Sequence, residues 1–237
     1  MAEQKRRKFP QFTSPKGTFK YPKLSEPDYG TKEYPCPQGR YGLKLVMPAK
    51  APETKAFIKA LTPAYEEALA EAKEAFEKLP VATRKKLGEV KPNPLFTEVY
   101  DKETEQPTGD IEFNIKMDAS GEYKKGPKAG TKWTAKPVLF DASGQRMVRP
   151  PAIWSGTEGK VAFEARPYFV NGSGAAGLSF KLIGVQIVKL VSAGERSADS
   201  LGFGAEEGGY AYHDEAFSDD SQGTASTSSD NTTSGDF

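Results

Sequence analysis

The stretch Gly177-Leu-Ser-Phe-Lys-Leu-Ile-Gly-Val-Gln-Ile-Val-Lys-Leu-Val191 alternates apolar and polar residues, and its parity changes midway. Leu178, Phe180 and Leu182 share one face of an extended chain, whereas Val185, Ile187 and Val191 share the other. Successive side chains on a strand point to opposite faces, so the switch near Gly184 needs one extra residue. A β-bulge at that glycine would absorb the switch and bend the strand, as closing a small barrel requires.

Working outward, other segments carry the same period of two. Tyr41, Leu43, Leu45 and Met47 alternate with Gly42, Lys44 and Val46, and Ile111, Phe113, Ile115 and Met117 alternate with Glu112, Asn114 and Lys116. Each segment predicts a strand with one apolar and one wet face. WTAKPVLFD and GKVAFEARPYFV predict further strands, punctuated by the turn signals Asp141-Ala-Ser-Gly144 and Asn171-Gly-Ser-Gly174. One segment differs. After Pro52, the residues Phe57, Ile58, Leu61, Tyr65, Ala68, Leu69, Ala72, Phe76 and Leu79 recur every three or four positions until Pro80, which predicts an amphipathic helix of about seven turns packed on the strands. Five or more strands and one long helix predict a mainly β chain, with the oligonucleotide/oligosaccharide-binding (OB) fold first and a β-sandwich as the alternative.

The net charge of +1 over 237 residues conceals an asymmetry. Residues 195–237 hold ten acidic residues against Arg196 alone, so that segment carries −9 and residues 1–194 carry +10. The acidic end is rich in Ser, Gly and Thr and too poor in apolar residues to offset the entropy of ordering. Two parts are therefore expected: a folded basic domain over 1–194 and a disordered acidic tail over 195–237. A basic body with an acidic tail is the pattern of a polyanion-binding domain with an interaction segment.

Composition also removes chemistries. Cys36 is the single cysteine and His213 the single histidine, which leaves no disulfide framework, no thiolate or clustered-histidine metal site and no Cys-His or Ser-His-Asp nucleophile in the body. No cofactor, no metal and no enzymatic activity are expected. Cys36 reads as an ordinary loop or core thiol. The run Asn171 to Gly177 is not a phosphate loop, since no Lys-Ser/Thr follows and it lies between two strands. Glu66, Glu67, Glu71 and Glu74 fall on the polar face of the helix, where solvation is their usual state. There is no apolar run of about 20 residues and no signal peptide behind the basic start, so an intracellular protein without membrane contact is expected.

Binding single strands without sequence preference needs cations for phosphates and exposed aromatic faces for bases. With Val161, Phe163 and Ala165 inward, Arg166 and Tyr168 point outward together, provided Pro167 does not break the alternation. Phe169 follows. Lys124, Lys125, Lys128, Lys132 and Lys136 surround Tyr123 and Trp133, Arg84, Lys85 and Lys86 follow the helix, and Arg149 lies close to Trp154. These are the candidate DNA contacts. Single-stranded RNA and a scaffold without nucleic acid are the competing readings.

The chain also resembles the single-stranded DNA-binding proteins of lytic short-tailed phages. The resemblance runs through Pro27-Asp-Tyr-Gly30, Gly39-Arg-Tyr41 and the long helix, Arg166-Pro-Tyr168 before the Gly-rich hairpin, Leu178 to Leu190, and the ending Gly235-Asp-Phe237. It implies an OB fold that coats single strands during replication and recombination, promotes annealing and tends to dimerise, in the cytoplasm of an infected bacterial host. It implies that Tyr168 stacks on a base, that Arg84 and Lys124 or Lys125 contact DNA, and that the tail, through Asp219, Asp220, Asp236 and Phe237, recruits the replicative DNA polymerase and primase-helicase. Where the family often has a tryptophan this chain has Val170, which leaves Phe169, Trp133 or Trp154 as the second stacking partner.

Overall fold

The computed structural model describes residues 8–124 and 126–192. The tail, with His213, Asp219, Asp220, Asp236 and Phe237, and also Lys125, lie outside the described residues. In chain order the elements are β1 (Gln11–Thr13), β2 (Gly17–Gly30), β3 (Pro35–Pro48), α1 (Pro52–Glu77), α2 (Val81–Leu87), β4 (Lys91–Pro92) and β5 (Thr97–Tyr100). There follow β6 (Pro107–Asp118), β7 (Ser120–Glu122), β8 (Lys132–Thr134), β9 (Val138–Phe140), β10 (Glu158–Phe169) and β11 (Ala175–Lys189).

Five of these strands close into a barrel in the order β10, β2, β3, β6, β11 and back to β10. Neighbours are antiparallel except β6 and β11, which run parallel. This is the OB arrangement: a three-strand meander, a parallel partner and a hairpin that closes the ring. Follow the register from Tyr168 to Gly177, on to Glu112 by extending the Phe180–Ile115 pairing, then to Val46 and Thr18; the circuit returns to β10 at Glu158, ten residues back. Such a stagger is what tilts the strands of a small closed barrel.

The alternating residues fill the interior as their parity requires. Leu43, Leu45, Met47, Ile111, Phe113, Ile115, Val161, Phe163 and Ala165 are all buried. The bulge lies beside the glycine: Ala162 pairs with Gly184 but Phe163 with Leu182, so Ile183 and not Gly184 is the extra residue, and burial passes from Phe180 and Leu182 to Val185 and Ile187. Helix α1 starts at Pro52 and packs on β10 and β11. Its Phe57 ring meets Phe113 and Phe163 edge-on at 5.4 and 6.0 Å between centroids, a favoured aromatic geometry that joins helix to barrel.

One barrel strand, β2, carries no clean alternation. Tyr21 has φ of 51°, Pro22 and Pro27 interrupt the pairing, and the register to β3 shifts three times. Its pattern is hidden by these breaks, although Phe19 and Leu24 are buried. The segment WTAKPVLFD divides at Lys136-Pro137 into β8 and β9 instead of forming one strand.

Closure depends on Gly159, where β10 passes from β2 to β11. A Cβ there would lie 2.2 Å from the Gln186 carbonyl oxygen and 2.6 Å from the Phe19 ring. Gly159→Ala is therefore expected to destabilise the barrel by about 2–3 kcal/mol, through overpacking against backbone that cannot yield. A urea midpoint indistinguishable from that of the native chain would show that the seam is looser than this contact implies.

Candidate nucleic-acid interface

The wet faces of the barrel strands bring cations into rows. Register places Lys23 opposite Gly42, Gly42 opposite Lys116 and Lys116 beside Lys181, a line across β2, β3, β6 and β11. In the adjoining line Lys20 pairs with Lys44 and Lys44 with Asn114, while Ser179 pairs with Arg166. Like charges on neighbouring strands cost stability, so rows of lysine need a compensating anion. Part of it is internal: Glu112 meets Lys44 at 2.5 Å and Lys20 at 3.7 Å. Among the described residues, Lys23, Lys116 and Lys181 have no acidic partner.

Tyr168 stands at one end of this surface. Strand β10 continues through Pro167, which pairs with Leu178, so the alternation is preserved and Arg166 and Tyr168 do share a face. The Tyr168 ring lies over Gly177, where a Cβ would come 3.4 Å from its hydroxyl. That hydroxyl accepts a hydrogen bond from Asn93 Nδ2 at 2.6 Å, and the Asn93 carbonyl accepts one from the Tyr65 hydroxyl of α1 at 2.8 Å. The ring is thus oriented from the helix. Burial, and then the neighbouring Tyr168, push the Tyr65 hydroxyl above its usual pKa, so it stays a donor. Beside Tyr168 an open groove of about 400 Å³ is lined by Pro94, Leu95, Phe96, Asn114 and Lys116.

Arg166 is engaged within the protein: its guanidinium meets Glu164 at 2.9 and 2.5 Å and lies 5.2 Å over the Phe9 ring. Phe169 is half-buried, edge-on to Phe76 of α1 at 6.5 Å. Helix α2 comes to the same end of the barrel. The Lys91 backbone N–H donates to the Gly174 carbonyl at 2.8 Å and β4 pairs with Ala175 and Ala176, which holds α2 by the β10–β11 hairpin. Lys85 and Lys86 are exposed there, and the buried Arg84 Nε has no hydrogen-bond partner.

The other candidates lie elsewhere. Lys124, Lys128, Lys132 and Trp133 belong to the β7–β8 hairpin and its loop, at the far end of β6, with Lys136 just beyond. The Trp133 ring packs over Gly121 and is half-buried. From the level of Glu112, aligned with Tyr168, to Asp118 is six residues of β6, or about 20 Å at the usual strand rise. Trp154 is 53% exposed and its backbone N–H donates to the Val191 carbonyl at 2.8 Å, which sets it just past the end of β11, and Arg149 is exposed in the loop before it. Lys20, Lys23, Lys44, Lys116 and Lys181 were absent from the sequence-based candidates. Their signal was available for Lys44 and Lys116, as the wet positions between apolar ones; what sequence does not show is which strands lie side by side.

Among the described residues no three His, Cys, Asp or Glu side chains come together as a metal site, and no helix is long and apolar enough to cross a membrane.

Comparison with known proteins gives a consistent result. The family described as single-stranded DNA-binding protein, bacteriophage T7, matches residues 16–190. Among solved structures, gp2.5, a single-stranded DNA-binding protein encoded by bacteriophage T7, is 28% identical with a TM-score of 0.60, over 87% of this chain and 100% of that one. The single-stranded DNA-binding protein from bacteriophage Enc34, solved in complex with ssDNA, is 11% identical with a TM-score of 0.46, over 77% and 88% of the two chains. No curated protein matches.

Proposed function

The chain belongs to the single-stranded DNA-binding protein family of bacteriophage T7, and from that premise we propose how it works: a non-catalytic protein whose outward barrel face holds single-stranded DNA along β6 and β11. The observation that carries this reading is the alignment of Tyr168 with Lys116 and Lys181 on one surface. Phosphates meet the lysines with release of counterions, and a base stacks on the Tyr168 ring. Neither step depends on base identity, so binding is largely independent of sequence. Arg166 contributes by fixing the strand edge and reaches a phosphate only by leaving Glu164. Lys85 and Lys86, with Arg84, extend the positive surface past Tyr168, and Lys124, Lys128, Lys132 and Lys136 extend it toward the Asp118 end of β6.

In this role the protein coats strands exposed during phage DNA replication and recombination, in the cytoplasm of the infected bacterium. Neutralising phosphates on two complementary strands lowers their repulsion, which accounts for annealing. Residues 1–194 form the binding domain, as a homodimer, and residues 195–237 form the acidic tail that recruits the replicative polymerase and primase-helicase. Asp219, Asp220 and Asp236 supply charge for those contacts and Phe237 an aromatic anchor.

The test is Tyr168→Ala. Loss of one stacking platform is expected to cost about 1–3 kcal/mol of single-strand affinity, measured by titrating a fluorescent oligonucleotide, while circular dichroism stays unchanged because the ring is at the surface. A folded variant with native affinity would place the DNA elsewhere.

A further inference from the structure

The segment from Pro27 to Tyr41 builds a second exposed aromatic, at the Asp118 end of β6, six residues along from the level of Tyr168. Asp28 accepts the Gly30 backbone N–H at 2.9 Å, and Gly30, at φ +78°, turns β2 into β3. Tyr29 is thereby folded back over Gly39. Gly39 itself sits at φ +66°, and a Cβ there would lie 2.9 Å from the Tyr29 ring and 3.2 Å from Pro27. The glycine is required by both the backbone angle and the ring. Tyr29 is therefore held against the Gly39 backbone through Cε1 and Cζ of its ring, while the residue remains 60% exposed.

The open side of the ring borders a cleft of about 460 Å³ between the β2–β3 and β7–β8 hairpins. Tyr41 and Ala119 are among the residues that line it, and Lys136 stands on the β7–β8 side. The two walls are tied together. Ala119 donates to the Gly39 carbonyl and Ala135 to the Ala119 carbonyl, each at 2.8 Å, and the Ser120 hydroxyl donates to the Gln38 carbonyl at 2.8 Å. Tyr41, Tyr29 and Glu26 are close enough that burial, then these two neighbours, raise the pKa of the Tyr41 hydroxyl. The cleft lies on the other side of β3 and β6 from the lysine row: Tyr41 and Ala119 share the parity of the buried Leu43 and Ile115, while Arg40 and Asp118, two residues beyond Gly42 and Lys116, end that row.

We propose that Tyr29 is a second stacking platform for a base of the same bound single strand, with Lys136 meeting an adjacent phosphate across the cleft. The assignment rests on the single-strand reading above and names a subsite within it. A ring already held in place loses little freedom when a base covers it, and stacking tolerates any base. A strand held by Tyr168, Lys116 and Lys181 would pass Arg40 and Asp118 at the end of β3 and β6 to reach Tyr29, about 20 Å along β6 from the level of Tyr168.

The experiment titrates a fluorescein-labelled thymidylate oligonucleotide of about 16 residues, the upper site size of one OB fold, into the full chain and its variants. Tyr29→Ala is expected to weaken binding at least about fivefold, the effect of one lost stack, and Tyr29→Phe to bind as the native chain does. Tyr29→Leu, which keeps an apolar cover on Gly39 without a π-face, is expected to weaken binding as Tyr29→Ala does. Lys136→Ala should reduce the salt dependence by about 0.7 in log–log slope, and Tyr29→Ala should leave that slope unchanged. Native affinity in Tyr29→Ala or in Tyr29→Leu, alongside weakened Tyr168→Ala, overturns the subsite and leaves the main reading intact. Equal loss in Tyr29→Phe and Tyr29→Ala also overturns it, since the ring would then not be the contact. No binding by the native chain sinks both.

Discussion

Raising the salt tenfold is expected to lower single-strand affinity about a thousandfold. If about four phosphates are neutralised, log K falls against log salt with a slope near −3, at about 0.7 per contact on single strands. The barrel offers the cations for this. Lys23, Lys116 and Lys181 have no acidic partner among the described residues, and Lys20 and Lys44 share one, Glu112. Two cations on one carboxylate leave a positive remainder at that point. Arg40 with Asp118, at 3.6 Å and both half-exposed, is an ion pair that a phosphate competes with readily. A surface of this kind binds through counterion release, and titrations between low and high salt read the slope directly. A flat response would remove the electrostatic half of the account and leave stacking alone.

Removal of Glu206 to Phe237 is expected to raise single-strand affinity on the order of tenfold at low salt and to abolish association with the replicative polymerase. The first effect follows from tethering. A segment of −9 attached to a body of +10 has an effective concentration on the order of 1 mM near the lysines, against a surface that holds non-specific polyanions at about 0.1 mM. Incoming DNA is expected to compete with the tail for these lysines, and displacement of the tail to free the acidic side chains and Phe237 for partners. Screening weakens this competition as salt rises, so the gain should shrink toward high salt. Deleting Phe237 alone keeps every acidic side chain, so DNA affinity should barely change while polymerase association falls. If the long truncation binds DNA no better than the full chain, the tail does not compete, whatever it does with partners.

How legible each feature is in the sequence depends on whether it is local. Helix α1 was legible from Pro52 to Pro80 because its apolar period repeats without interruption, and Phe57, Leu61, Ala68 and Ala72 are indeed its buried stripe. The inward faces of β3, β6 and β10 followed from strict alternation, and the bulge near Gly184 from a parity change that no unbroken strand accommodates. Strand β2 was illegible because Tyr21, Pro22 and Pro27 break its period, and its pairing to β3 is re-registered at each break. The parallel pairing of β6 with β11 joins residues far apart in sequence, and no local signal encodes it. For that reason the basic clusters contiguous in sequence, Arg84 to Lys86 and Lys124 to Lys136, were visible, whereas the row formed by Lys23, Lys116 and Lys181 was not. The Asn93 bridge between Tyr65 and Tyr168 was hidden for the same reason.

On the proposed path, DNA phosphates follow the outward face of β6 and β11. The most direct test is the salt dependence of single-strand binding in the double variant Lys116→Ala/Lys181→Ala, compared with the native chain. Both side chains point away from the core on strands whose inward residues hold the barrel, so the fold should persist. The expected result is a log–log slope less steep by about 1.4, two contacts at about 0.7 each. A folded double variant that keeps the native slope would contradict that path and move the strand to another surface of the barrel.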